Sequence, residues 1–361
     1  MKKNLIHPTL RMPGTFTRGF STLFVVAILL VTSCNNDDDA PSPSGSNAAC
    51  QLVTQTNTGT GKYDATITYT YKSVYGFSYD DAGNQTQQSY KYDYTYSDGK
   101  TSSSTSTTSF QYDDKGFVLR RIGQYNSTDR DGKSTFETSN GDFTYANDRL
   151  TKESYSYTRD GKVTSYVTQY EYDDSGKLTK YSNTYNNSSI KIEYNGNVVL
   201  KITKTDGVGN TTSPFLEYNQ KGLLTKSIET DGGYTEEYRY EYTTEGLVAR
   251  EERYLNGKPS SATVYEYDAK ENPNAYVYGR QKGYPVVPST RANFSYKRNI
   301  TRLNYLSSNA AMTGFEPNSS TTYVYDYNAK DFPISYTSKT LDKTGVEVST
   351  AGTTFEYKGC Q

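Results

Sequence analysis

The sequence predicts an all-β protein, a long antiparallel up-and-down meander of hairpins curled into a barrel-like shell that does not span a membrane. Two observations support this prediction. Tyrosine accounts for 38 of the 361 residues while the hydrophobic fraction is only 33%, so the core must be built largely from tyrosine. Turn motifs recur along 50–361, and the segments between them alternate with a period of two. Aromatic residues at every second position are typical of half-buried strands.

Residues 1–33 have the features of a signal peptide. They carry four cations and no acid, and they contain an apolar run over 20–31 that is too short to span a bilayer comfortably. The junction Val31-Thr32-Ser33-Cys34 resembles the lipobox of bacterial lipoproteins, which implies lipidation of Cys34. The alternative is an ordinary signal peptide with an incidental cysteine. The true start is left open between Met1 and Met12.

Residues 34–49 are expected to form a flexible tether. Three acids at 37–39 are followed by a stretch rich in Pro, Ser and Gly, and this composition does not pack. The acidic run resembles the export signal of lipoproteins in Bacteroidota. That resemblance implies an outer-membrane, cell-surface protein that contacts the membrane through its lipid anchor only. A solvated charge run is the alternative.

The residue inventory excludes most enzyme chemistry. The only histidine is His7, inside the predicted signal peptide, so the mature chain lacks the imidazole that Ser-His-Asp catalysis and most zinc sites use. We therefore expect no enzymatic activity, no cofactor and no metal. Cleavage leaves 35 of the 39 cations against 40 acids, a net charge of −5, which gives no reason to expect nucleic acid as a partner.

Two cysteines bracket the predicted β domain. Cys50 stands at its start and Cys360 at its end. In an oxidising envelope compartment such thiols tend to pair, so we predict a disulfide between them. Two unpaired thiols at frayed ends are the alternative.

Two kinds of turn alternate along the domain. Asp-Gly and Asn-Gly pairs favour tight hairpin turns because Gly and Asn accept a positive φ. Roughly 18–22 strands of ordinary length fit between the two cysteines. Tyr-Asp-x-x-Gly motifs begin at Tyr79, Tyr112 and Tyr172, and the intervening pairs begin at Asp98, Asp131, Asp160 and Asn256.

The extended pattern Tyr-Asp-x-x-Gly-x-Leu-x-Lys is similar to the YD repeats of Rhs and teneurin shells. Together with the lipoprotein signal, the Asp-rich tether and the Asn272-Pro273 segment, it resembles a Bacteroides-type lipoprotein domain of unknown function with a porin-like fold. The resemblance covers about residues 60–360. It implies a β-barrel-like shell and no established activity.

An irregular basic insertion is expected at about 273–317. Prolines at four positions disfavour a central strand there, and no acid occurs over 275–315. We predict a binding site for an anionic ligand, with the alternative that these cations pair with acids of neighbouring strands. The candidate residues are Arg280, Lys282, Tyr284, Arg291, Lys297, Arg298 and Arg302.

We therefore expect a surface-anchored, non-catalytic binding or accessory protein whose partner is a glycan or an outer-membrane protein. One alternative is a structural subunit of a larger outer-membrane complex. A second is a carboxylate-dependent hydrolase, which requires two close carboxylates with one raised pKa. Paired acids such as Asp173 and Asp174 recur at predicted turns, a distribution that suits turn geometry.

Overall fold

The computed structural model describes residues 50–63, 66–231, 233–274, 281–292 and 297–360. The predicted signal peptide, the tether and Cys34 lie outside the described residues. Within them the chain forms twenty-one β-strands. The first eleven are β1 (Gln51–Lys62), β2 (Thr68–Tyr79), β3 (Gln85–Tyr96), β4 (Thr101–Tyr112), β5 (Val118–Thr128), β6 (Ser134–Ala146), β7 (Arg149–Arg159), β8 (Lys162–Tyr172), β9 (Leu178–Asn183), β10 (Ser188–Asn195) and β11 (Val198–Thr205). The others are β12 (Thr211–Thr212), β13 (Phe215–Tyr218), β14 (Leu224–Asp231), β15 (Tyr234–Tyr242), β16 (Val248–Leu255), β17 (Lys258–Glu271), β18 (Arg298–Ser308), β19 (Phe315–Tyr327), β20 (Pro333–Asp342) and β21 (Glu347–Lys358).

The strands form one antiparallel meander, as predicted. Each strand pairs with the next from β1 to β12 and again from β13 to β21, and β21 also pairs with β1. Among the described residues, β12 pairs only with β11 and β13 only with β14, so β12 and β13 share no register. The ring of strands is therefore interrupted at this seam and is not closed by hydrogen bonds.

The tyrosines face one side of this sheet, which is its inner face. On β15, Tyr238 and Tyr240 are 5% exposed, whereas Arg239 and Glu241 between and beside them are exposed. The sheet also curls strongly. Tyr90 on β3 and Tyr336 on β20, four strands apart in the sheet, both pack against one buried cluster that contains Leu52, Tyr75, Phe77 and Phe355. Rings so far apart along the sheet interact because the sheet curls around its aromatic face.

The Tyr-Asp-x-x-Gly motifs form the predicted turns. The Asp113 carboxylate accepts hydrogen bonds from the backbone N–H groups of Lys115 (2.9 Å) and Phe117 (2.8 Å), and Gly116 has a φ of 83°. The strand register shifts beside Tyr112, immediately before the turn, which marks a β-bulge. The same side-chain acceptor recurs at Asp206, Asn219, Asn328 and Asp342.

A repeated hydrogen bond closes the open end of eight of the hairpins, opposite the tight turn. The phenol at the end of one strand donates to a backbone carbonyl near the start of the preceding strand, at distances of 2.5–3.0 Å. We call these contacts phenol–carbonyl links. They join Tyr79 to Leu52, Tyr112 to Gln85, Tyr172 to Leu150, Tyr194 to Leu178, Tyr242 to Leu224, Tyr267 to Val248, Tyr325 to Ile300 and Tyr357 to Pro333.

The ends of the domain meet as predicted. Cys50 and Cys360 form a disulfide with a Cα–Cα distance of 4.7 Å, beside the pairing of β1 with β21. The irregular insertion is shorter than the predicted 273–317, because β18 and β19 occupy most of its second half. Pro317 lies near the start of β19 at a register shift, a position where proline is tolerated. Among the described residues, no helix has the length and apolar character needed to cross a membrane.

Candidate functional site

Residues 281–292, which we call the inner segment, belong to the connection between β17 and β18 and pack on the inner face of the sheet. The backbone carbonyl of Gly283 accepts a hydrogen bond from the N–H of Leu150 at 2.8 Å. Tyr284 is buried in a cluster with Val118, Phe143 and Leu150. The first part of the inner segment is therefore fixed against β5, β6 and β7.

The inner segment continues across the face of the sheet. Val287 packs against the cluster of β9–β11 that contains Ile192 and Ile202. Ala292 packs against the cluster of β14–β16 that contains Tyr238 and Tyr240. The segment therefore covers the aromatic face from β5 to β16, a span of many strands. Its apolar stretch Pro-Val-Val-Pro at 285–288 is the sequence signal that could have revealed this path.

Two of the predicted ligand-binding cations anchor the inner segment. Lys282 Nζ donates to the backbone carbonyl of Lys115 at 2.7 Å and lies 4.8 Å from the centre of the Phe117 ring. Arg291 Nη2 donates to Glu236 Oε2 at 3.1 Å, and its guanidinium lies 3.8 Å from the centre of the Tyr238 ring. Both side chains thus have partners within the fold.

The other candidate cations lie near the start of β18. Arg298 Nε donates to Glu245 Oε2 at 3.3 Å, and its Nη1 donates to the carbonyl of Ala269 at 3.0 Å. Arg302 is exposed and stands opposite Glu266 in the strand register. Lys297 is also engaged within the fold, while Arg280 lies outside the described residues.

These placements separate the predicted basic site into parts. Tyr284 and Lys282 lie by β5–β7, Arg291 lies by β15, and Arg298 lies on β18. Arg291 pairs with Glu236 on β15, and Arg298 pairs with Glu245 in the turn after β15 and with Glu271 on β17. This arrangement matches the alternative interpretation, in which the cations pair with acids of the body.

A charged cluster lies where the inner segment meets β15 and β16. Arg253 Nε and the Tyr238 hydroxyl donate to Glu236 Oε1 at 2.6 and 2.7 Å. Burial acts to raise the pKa of Glu236, but these hydrogen bonds and the charge of Arg291 outweigh it and lower the pKa. Burial raises the pKa of Glu251, against the opposing charges of Arg291 and Arg253.

The opposite shifts at Glu236 and Glu251 meet one requirement of the hydrolase alternative, which asks for carboxylates with separated pKa values. Both carboxylates, however, face the same two arginines, and one of these, Arg291, holds the inner segment in place. Two arginines beside two glutamates compensate each other's charge in a partly buried site. We therefore interpret the cluster as the anchor of the inner segment.

A different part of the inner face carries a continuous array of tyrosines, which we call the tyrosine ladder. It consists of Tyr69, Tyr71 and Tyr75 on β2 and Tyr90, Tyr92, Tyr94 and Tyr96 on β3. The rings of Tyr92 and Tyr94 have centroids 4.2 Å apart. Tyr71 and Tyr92 are stacked across the two strands at 5.7 Å with an interplanar angle of 12°.

Small residues of β1 and β4 flank the tyrosine ladder on its two sides. A Cβ atom at Gly59 of β1 would lie 2.6 Å from the Tyr71 ring, and one at Gly61 would lie 2.5 Å from the Tyr69 hydroxyl. Glycine at these positions lets the two side chains lie flat over β1. On the other side, Ser102, Ser104 and Ser106 of β4 stand opposite Tyr94, Tyr92 and Tyr90 in the register.

A cation closes one end of the tyrosine ladder. Arg130 lies with its guanidinium 4.9 Å from the centre of the Tyr63 ring and 5.1 Å from that of Tyr96. It also forms an ion pair with Asp98. Its charge is thus compensated at the rim, and the inner-face positions of β1–β4 carry uncharged residues.

The comparisons with known proteins give likenesses of fold. No family model matches the chain, and no curated protein matches it in sequence. A porin-like protein from Bacteroides uniformis is 16% identical, with a TM-score of 0.36 over 85% of this chain and 96% of that chain. A porin-like protein from Bacteroides vulgatus is 11% identical, with a TM-score of 0.29 over 86% of this chain and 99% of that chain. The TcdB2–TccC3 structure is 10% identical, with a TM-score of 0.26 over 78% of this chain and 18% of that chain.

Proposed function

We propose that the protein is a lipid-anchored, surface-exposed outer-membrane protein that binds a glycan or envelope-protein partner, without catalysis, on its tyrosine ladder. The anchor and the location rest on the sequence before and after Cys34. The binding function rests on the exposure of the ladder.

One contrast on the inner face supports the binding function. Where the inner segment crosses the sheet, aromatic side chains such as Phe143, Tyr238 and Tyr240 are buried. Tyr92 and Tyr94 are only half-buried, as are Tyr69, Tyr71 and Tyr90, whereas Tyr75 and Tyr96 are buried. Tyrosine suits binding surfaces because it combines a large apolar ring with a polar hydroxyl. The ladder is thus a large aromatic surface that the inner segment leaves accessible.

Affinity capture from solubilised envelopes tests this proposal. The full mature chain is compared with the double variant Tyr92→Ala/Tyr94→Ala, which removes two rings from the ladder. The control is Thr70→Ala/Thr95→Ala, because these two residues stand opposite each other on the outer face of the same strands. We expect the mature chain and the control to enrich the same glycan or protein, and the ladder variant to lose about tenfold.

Equal capture by all three chains would remove the ladder from the proposal. Circular dichroism and thermal unfolding of each chain show whether a loss of binding is caused by a loss of folding.

A separate experiment tests the lipid anchor. Labelling with a fatty-acid analogue is expected in the natural chain and is expected to be absent from Cys34→Ser. Because we propose that the protein is exposed on the cell surface, protease added to intact cells is expected to degrade it.

A further inference from the structure

We infer that the tyrosine ladder takes a neutral polysaccharide, with successive sugar rings stacked on successive phenol rings. This inference rests on the proposed function and adds the chemical class of the ligand. Three properties of the surface support it: the repeat of the rings, the hydroxyl groups beside them and the absence of charge on the inner face of β1–β4.

The rings form a repeating platform along β3. The centroid separations are 5.9 Å from Tyr90 to Tyr92, 4.2 Å from Tyr92 to Tyr94 and 6.0 Å from Tyr94 to Tyr96, and the ring planes are inclined to each other by 34°, 58° and 18°. The face of an aromatic ring is electron-rich and attracts the slightly positive C–H groups on the face of a sugar ring. A repeating platform complements a polymer of sugar rings better than it complements a single small molecule.

Hydroxyl groups border the platform on one side. Ser102, Ser104 and Ser106 stand opposite the ladder tyrosines in the register. Ser102 shares a hydrogen bond with the Tyr96 hydroxyl at 3.3 Å, and a serine hydroxyl has donor and acceptor capacity for a further partner. A few polar groups beside an apolar surface are what fixes the orientation of a bound ligand.

The charge distribution selects a neutral ligand over an acidic one. The inner-face positions of β1–β4 carry uncharged residues, and Arg130 at the rim is paired with Asp98. Arg291 and Arg298 are paired with glutamates elsewhere in the fold. An acidic sugar on the ladder would lose hydration without gaining a counter-charge, which is costly.

Affinity electrophoresis of the mature chain in native gels tests this inference. The gels contain a soluble galactomannan, arabinoxylan or dextran as neutral probes, and alginate or polygalacturonate as acidic probes. We expect at least one neutral polysaccharide to retard the protein, the acidic ones to have no effect, and added salt to leave the retardation unchanged. The Tyr92→Ala/Tyr94→Ala variant should bind about tenfold more weakly, and Thr70→Ala/Thr95→Ala should bind normally.

A second variant keeps the test valid if loss of two rings unfolds the sheet. Ser104→Lys places a cation beside Tyr92 without removing a ring, and it is expected to weaken binding of the neutral probe. If none of the neutral polysaccharides retards the protein, the inference is overturned. The proposed function would still stand in that case if affinity capture recovered an envelope protein that binds the ladder. If only the acidic polysaccharides retard the protein and the ladder variant loses that retardation, the inference of a neutral ligand is overturned and the proposed binding function stands. Retardation that the ladder variant retains in full would overturn both.

Discussion

The phenol hydroxyl is the group that distinguishes the tyrosines of this protein from ordinary core aromatics. In each phenol–carbonyl link, the ring fills the inner face while the hydroxyl donates to a backbone carbonyl of the preceding strand. Such a carbonyl would otherwise lose its hydrogen bond in a partly buried place, which is costly. This double role explains why the repeat contains Tyr where Phe would supply the same apolar surface.

Removal of one such hydroxyl tests this explanation. Tyr172 donates to the Leu150 carbonyl at 2.7 Å, so Tyr172→Phe is expected to reduce the free energy of unfolding by about 1–2 kcal/mol. The measurement is urea unfolding followed by circular dichroism. Tyr234→Phe is the matched control, because the Tyr234 ring is exposed and should lose less than about 0.5 kcal/mol. Equal effects in the two variants would contradict the explanation.

The sequence predicted which residues face inwards but not what their hydroxyls do. The alternation around Tyr92 and Tyr240 indicated one aromatic face, and the structure confirms it. The phenol–carbonyl links were missed, because they join positions about 16 to 27 residues apart whose proximity depends on the strand register. A recurring Tyr immediately before each turn was the available signal.

The inner segment is the element that departs most from the repeat. Its basic residues predicted a ligand site, whereas its apolar residues now account for its position. Gly283 has a φ of 78°, and a Cβ atom there would lie 2.7 Å from the Phe117 ring, so the chain approaches β5 closely at this point. Tyr284 then packs against the buried side chains of β5, β6 and β7.

Tyr284 is therefore expected to anchor the whole inner segment. Tyr284→Ala removes a buried aromatic side chain and should cost about 3–5 kcal/mol. Hydrogen exchange of residues 281–292 should become faster, whereas exchange in β2 and β3 should change little. Tyr284→Phe keeps the ring and is expected to protect the segment better than Tyr284→Ala. Unchanged exchange in Tyr284→Ala would show that the segment is held elsewhere.

Closure is a property of the whole sheet. The pairing of β1 with β21 joins the ends of the chain, and the disulfide between Cys50 and Cys360 fixes that junction with a sequence separation of 310 residues. The opposite interruption lies between β12 and β13. In the chain-entropy description, a long closed loop gives a disulfide its largest effect on the unfolded state.

Loss of the disulfide should therefore destabilise the entire shell. Cys50→Ser/Cys360→Ser is expected to lose about 2–5 kcal/mol of unfolding free energy, measured from the midpoint of urea unfolding. A reductant should lower the midpoint of the natural chain to the same value and leave the variant unchanged. A reductant effect of equal size on both chains would exclude the disulfide as its cause.

The tyrosine-built core also predicts how stability depends on pH. Burial raises the pKa of Tyr71, Tyr79 and Tyr166 from 10.0 to about 12, with added repulsion from neighbouring phenols or carboxylates at Tyr71 and Tyr166. The folded state therefore holds these protons more tightly than the unfolded chain. Their contribution to stability is fully present below pH 10 and is lost as the pH rises through about 12.

We expect the unfolding temperature to be constant up to about pH 10 and to fall steeply between about pH 10 and 12. Phenolate absorbance should rise together with the loss of circular dichroism, because most rings ionise only when the sheet opens. A spectrum in which all tyrosines ionise near pH 10 while the sheet remains intact would contradict this description. The disulfide-free variant should show the same steep fall, displaced to lower temperature.

Local rules were enough to predict the strands, the turns and the aromatic face, and the pairing of the two cysteines followed from their number and the expected oxidising compartment. Hairpin turns and a period of two are encoded within a few adjacent residues, and the meander connects only neighbours in sequence. The course of the inner segment, the seam between β12 and β13 and the exposure of the tyrosine ladder were not predictable in this way. They depend on which distant strands face each other after the sheet curls, because contacts across the interior join residues that no local pattern connects.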